Sequence, residues 1–226
     1  MENKLWIFGD SFSTIWTRMG GLGDKYKEYK GYPPKIFSNY LGTMLDMKVE
    51  QRGIGGADNF TIFDAIIHNL NDNNISTGDI VIIGWSHPSR FRLEKNNKWL
   101  TIHNPQPIGG NLPINLIESY KFMDINTLEQ IRANRLSPLY WDEVINWSRL
   151  LKIAFKLKGI KFLFWSPFVL GKDNTLKKQL LPDDWYIGTD IDRLHNETNR
   201  IIDDSHFSET GHKKLADILY QKIVSK

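Results

Sequence analysis

Short apolar runs recur along the chain and alternate with longer stretches in which apolar positions return every three or four residues. The runs predict strands at Leu5–Phe8, Lys48–Gln51, Ile80–Trp85 and Lys161–Trp165, and the longer stretches predict helices at Pro34–Leu45, Asn59–Leu70, Tyr140–Leu157 and Glu209–Val224. Ile80-Val81-Ile82-Ile83 is apolar without alternation, the pattern of a strand covered on both faces. In the last helical stretch Leu215, Ile218, Leu219 and Ile223 recur at helical spacing, and Ser208 stands where an N-cap belongs. Strand and helix in alternation imply an α/β fold around a parallel sheet.

Two segments break the alternation. Residues 94–138 are rich in Asn, Pro and Gly and separate the third strand from the next long helix, and residues 171–200 are similar. The reading is one domain spanning 1–226 with long insertions at about 94–138 and 171–200. Ligands of open parallel sheets bind beyond the carboxyl ends of the strands. Both segments leave such ends, so they are expected to wall or cover a site.

Composition narrows the function. With 41% hydrophobic and 24% charged residues the chain is globular rather than disordered. It has no cysteine, which excludes disulfides, thiolate nucleophiles and cysteine-based zinc sites. A net charge of +3 with scattered lysines argues against a nucleic-acid partner. No stretch approaches the length of a membrane span, and the early Gly9-Asp10-Ser11 cannot continue a signal-peptide core. The expectation is therefore a soluble protein made without a secretion signal. No group of His, Asp and Glu has metal-ligand spacing, so neither metal nor cofactor is expected.

Two places carry chemistry. Ile7-Phe8-Gly9-Asp10-Ser11 is a strand running into a tight turn, which puts Ser11 at the carboxyl edge of the sheet. A neutral hydroxyl needs an adjacent base and an acid to orient that base. Far along the chain, Asp203-Asp204-Ser205-His206 precedes the last helix. On one turn-like loop the Asp203 carboxylate can hold the His206 ring while its other nitrogen faces a serine.

This pairing resembles the SGNH (GDSL-like) hydrolase superfamily, in which a Gly-Asp-Ser block follows the first strand and an Asp-x-x-His block precedes the last helix. A third block agrees: Gln51-Arg52-Gly53-Ile54-Gly55-Gly56-Ala57-Asp58 follows the second strand, and Gly56 matches the glycine whose backbone N–H joins the oxyanion hole. A fourth departs. Where the family has Gly-x-Asn-Asp, with the Asn side chain as a further oxyanion donor, this chain has Gly84-Trp85-Ser86-His87. The aligned residue is Ser86, preferred here over His87 as the donor. The resemblance implies a three-layer α/β/α domain of flavodoxin-like type with a mostly parallel sheet of about five strands.

It also implies a catalytic triad of Ser11, His206 and Asp203, with an oxyanion hole of Ser11, Gly56 and Ser86. The expected activity is a serine esterase acting on a short acyl ester, with a carbohydrate O-acetyl group as the leading substrate. The rivals are an acyltransferase on a glycan, which shares the triad, and a non-catalytic glycan-binding or structural relative, which the missing Asn favours. The expected partner is a small-molecule or carbohydrate ester. His87 and Arg90 follow the third strand and are candidates for substrate contact, Arg90 toward an anionic group. Trp16, Trp85 and Trp165 fall at or beyond strand ends, where an aromatic face can stack on a sugar ring. His103 and His195 lie in the long segments, and His212, in the first turn of the last helix, is read as structural.

Overall fold

In the computed structural model, which describes residues 2–14, 27, 31, 35–87, 90–95, 98–102, 139–166, 186–187 and 207–225, successive residues of each central strand point to opposite faces of one sheet. Trp6, Phe8, Val81, Ile83 and Phe164 enter one core, and Leu5, Ile7, Ile80, Ile82 and Leu163 enter the other. Two-sided burial explains why these strands read as continuous apolar runs. The strands are β1 (Lys4–Gly9), β2 (Lys48–Gln51), β3 (Ile80–Gly84), β6 (Lys161–Trp165) and β7 (Tyr186–Ile187), in the order β2-β1-β3-β6-β7. Every pairing between them is parallel. A separate antiparallel hairpin joins β4 (Phe91–Lys95) to β5 (Lys98–Ile102).

The helices are α1 (Phe37–Leu45), α2 (Asn59–Asn71), α3 (Leu139–Leu157) and α4 (Glu209–Val224). The path from β1 to β2 moves one way across the sheet, and the paths from β2 to β3 and from β3 to β6 move the other way. Right-handed crossovers then require α1 on one face and α2 and α3 on the opposite face. The cores agree: Phe37 and Leu41 of α1 share a cluster with Leu215, Ala216, Leu219 and Ile223 of α4. Ile62, Ile66 and Leu70 of α2 share the other with Val144, Leu151 and Phe155 of α3. The result is the three-layer α/β/α arrangement expected from the sequence.

Local chemistry sets the helix ends. The Asp58 side chain accepts from the Thr61 N–H (2.9 Å) and hydroxyl (3.0 Å) to start α2, and the Ser208 hydroxyl accepts from the Gly211 N–H (3.2 Å) to start α4. The Tyr40 hydroxyl of α1 donates to Glu209 of α4 at 2.6 Å. No helix among the described residues is long and apolar enough to cross a membrane.

Two strands were hidden in segments read as insertions. β7 lies inside 171–200, and β5 with the last two residues of β4 lies inside 94–138. The remainder of both segments lies outside the described residues.

At the amino end of the sheet Asp79, 2% exposed, ties down the start of β1. Its carboxylate accepts from the Lys4 N–H (2.7 Å), the Trp6 indole N–H (3.0 Å) and the Ser76 N–H (2.9 Å). Asp79→Ala leaves these donors unanswered and is expected to lower stability by about 2–4 kcal/mol. Urea denaturation measures the loss, and an unchanged midpoint would show that water replaces the carboxylate.

Candidate functional site

In a sheet of this order the connections diverge from between β1 and β3, which opens a crevice at the carboxyl ends of those strands. Gly9 and Gly84 end the two strands as direct partners, and the turns bearing the candidate residues begin there. The ladders run on past the strands. Arg52 N–H and Ile54 N–H donate to the carbonyls of Ile7 (2.8 Å) and Gly9 (2.9 Å), and Trp85 N–H donates to that of Trp165 (2.8 Å). These bonds hold the turn after β2 and the turn after β3 on either side of residues 10–14.

Residues 10–13 form a tight turn closed twice, by Ser13 N–H to the Asp10 carbonyl (2.9 Å) and by Phe12 N–H to Asp10 Oδ1 (3.0 Å). Ser11 is on it, 7% exposed. Ser13 sits so deep that neighbouring side chains have no room. A Cβ on Gly9 would lie 2.7 Å from the Ser13 Cβ, one on Gly53 2.7 Å from the Ser13 carbonyl carbon, and one on Gly84 2.9 Å from the Trp165 ring. Gln51 Nε2 also donates to the Ser13 carbonyl. Gly56, the expected backbone donor, has φ 77°, which a turn closed by Ala57 N–H on the Ile54 carbonyl (3.1 Å) demands of its third residue.

The turns are joined by side chains. Asn59, first residue of α2, clamps Ser86 twice: the Ser86 N–H donates to Asn59 Oδ1 (2.7 Å), and Asn59 Nδ2 donates to the Ser86 carbonyl (2.9 Å). The Ser86 hydroxyl bonds Asp10 Oδ2 at 3.0 Å, and Arg90 Nη1 reaches both Asp10 Oδ2 (2.8 Å) and Ser86 Oγ (3.0 Å). Arg90 cannot accept, so Ser86 Oγ accepts from it and gives its one proton to Asp10. A short turn, Arg90 N–H to the His87 carbonyl (3.0 Å), returns Arg90 toward the crevice. Asp10 and Arg90 form an ion pair with side chains 1% and 17% exposed.

Alongside this geometry, no family model and no curated protein matches the chain. Among solved structures it is similar to one from Desulfitobacterium hafniense DCB-2 described as that of "a putative lipolytic protein of G-D-S-L family". The identity is 12%, with 97% of this chain and 99% of that chain covered and a TM-score of 0.46.

The structure brings Asp10, Ser11, Gly56, Ser86, His87 and Arg90 to the same edge of the sheet, and it changes several expected roles. Ser86 is not an open donor: its side chain is fully buried and its proton is directed at Asp10. Arg90 is not a free cation, because Asp10 holds it. His87 is half-buried. Trp85 and Trp165 are 1% and 0% exposed and have no face to offer a sugar. Trp85 continues the Val81–Ile83 alternation into the core and stacks on Phe164 at 6.1 Å and 3°, while Trp165 packs against Phe37 and Phe207.

Trp16, His103, His195, Asp203 and His206 lie outside the described residues. Phe207, the residue after His206, is fully buried against Phe12, the residue after Ser11, with ring centroids 5.4 Å apart. His212 is buried among Phe37 and Phe207. The described residues contain no group of three or more His, Asp or Glu placed to hold a metal.

Sequence reading missed Asp10 and Asn59 as organisers. Asp10 had a signal in its place within Gly-Asp-Ser, whereas Asn59 looked like any polar residue opening a helix. Asn59→Ala leaves the buried N–H and carbonyl of Ser86 without partners and is expected to lower stability by about 2–3 kcal/mol. The midpoint of urea unfolding reads this out, and a value equal to the parent's would mean the turn after β3 is held without Asn59.

Proposed function

We propose that this chain is a serine hydrolase of SGNH type that cleaves a short acyl ester. The observation that carries the reading is the Phe12–Phe207 contact, which joins the first turn of the chain to the start of its last helix one residue from Ser11 and one from His206. Supporting it, Ser11 lies on a turn locked by Asp10 at the carboxyl end of β1, and Gly56 lies on the turn held beside it.

In the proposed mechanism His206, oriented by Asp203, takes the Ser11 proton as Oγ bonds to the ester carbonyl carbon. The backbone N–H groups of Ser11 and Gly56 receive the oxyanion. His206 then protonates the departing alcohol, and water, activated by the same histidine, releases the acyl group as the acid and restores Ser11. A carbohydrate O-acetyl ester remains the leading substrate, without stacking by Trp85 or Trp165.

A second reading, binding without catalysis, is favoured by one observation: among the described residues, the turn after β3 offers neither a side-chain amide nor an open hydroxyl, since Ser86 is engaged with Asp10.

A fluorophosphonate probe separates the two. The expected result is covalent labelling at Ser11, together with hydrolysis of p-nitrophenyl acetate that Ser11→Ala and His206→Ala each reduce by roughly 10³-fold or more. Labelling at another residue, or full activity in Ser11→Ala, would remove the mechanism. A folded parent that neither labels nor hydrolyses any short ester would favour the binding reading.

A further inference from the structure

Asp10 presents a difficulty for any reaction that builds negative charge beside Ser11. Its side chain is 1% exposed, and it directly precedes the nucleophile in the chain. Adjacent Cα atoms are only about 3.8 Å apart. A buried carboxylate on the residue next to Ser11 acts on a nearby negative charge with less screening than one in water.

The only cation bonded to Asp10 among the described residues is Arg90, at 2.8 Å. The same nitrogen holds Ser86 Oγ, which also bonds Asp10, so that one guanidinium nitrogen closes a triangle across the turns after β1 and β3. Asn59 extends the triangle to α2, whose first residue follows the Gly56 turn.

We propose that Arg90 is a positioning residue for the Ser11 nucleophile, acting through Asp10. It cancels the carboxylate's charge next to the place where the oxyanion forms, and it holds the turns after β1 and β3 in register. This rests on the serine-hydrolase reading. The residue therefore serves the transition state more than the bound ester, and its removal lowers kcat while KM changes little.

Two substitutions of similar reach separate charge from shape. Arg90→Lys keeps a cation that can meet Asp10 Oδ2. Arg90→Gln keeps a hydrogen-bond donor without the charge. A third variant, Asp10→Asn with Arg90→Gln, removes both charges, and its amide can still accept from Phe12 N–H and donate to Ser86 Oγ.

The test measures kcat and KM for p-nitrophenyl acetate, and the rate of fluorophosphonate labelling at Ser11, with thermal unfolding of each variant. Arg90→Gln is expected to lose roughly 10- to 100-fold in kcat and in labelling rate, whereas Arg90→Lys stays within about fivefold of the parent. The double variant is expected to recover most of the loss. A role in stability alone would lower the melting temperature of the double variant further and leave kcat unrecovered.

Equal kcat in Arg90→Gln and Arg90→Lys, or a folded double variant no faster than Arg90→Gln, overturns the proposal. If Arg90→Gln alone does not fold, the double variant decides: folded and within about tenfold of the parent supports the charge argument, and folded but inactive overturns it. A parent that labels at Ser11 while these variants fail to separate overturns only the role of Arg90. A parent that never labels removes the hydrolase reading and this proposal with it.

Discussion

The carboxylate of Asp10 is the point on which the site turns. One oxygen folds its own loop by accepting from Phe12 N–H, and the other receives Ser86 and Arg90. Without it the segment after β1 has no side-chain bond to the segment after β3 among those described, although the strands beneath pair directly. Asp79 does the matching task at the opposite edge, where it ties β1 to the turn before β3. The two buried carboxylates fix both ends of β1, and the apolar faces between them need only pack.

Close packing then makes the site rigid. Gly9, Gly53 and Gly84 converge on Ser13 from three strand ends, and each lacks room for a methyl group. Such close contacts pack the 10–14 turn tightly against its neighbours, so a larger side chain at any of the three glycines would displace it. If Ser11 is the nucleophile proposed above, a fixed turn removes part of the entropy of alignment before a substrate arrives.

Most of the architecture was legible because it follows from burial on two periods. The four strands read as apolar runs and the four helices read from three-to-four spacing are present with ends shifted by at most a few residues. β4, β5 and β7 were not: β7 has only two residues, and β4 and β5 mix apolar with charged residues inside a polar stretch, unlike the apolar runs of β1, β3 and β6. Trp85 and Trp165 were placed correctly at strand ends but given the wrong surroundings: the inward alternation holds through the last residue of β6 and one residue past β3, so a residue at a strand end can still be core. The ties from Asp10 span 76 and 80 residues, and nothing local announces them. Ser86 looked like a donor because sequence shows the hydroxyl and not the acceptor already facing it.

The docking of α4 against α1 has a consequence for how the chain is made. Leu5, Ile7, Phe12 and Phe37 are covered by Phe207, Leu215, Leu219 and Ile223. During synthesis β1 and α1 emerge well before residues 207–224, so for that interval α1 packs on this face of the sheet without α4. The part of the apolar face that α4 will cover is then open, and exposed apolar surface of this kind is prone to capture by chaperones or by other chains. A chain stopped before α4 would keep that part of the face open, because the seating of Phe207 on Phe12 needs residues that emerge about 200 positions after β1.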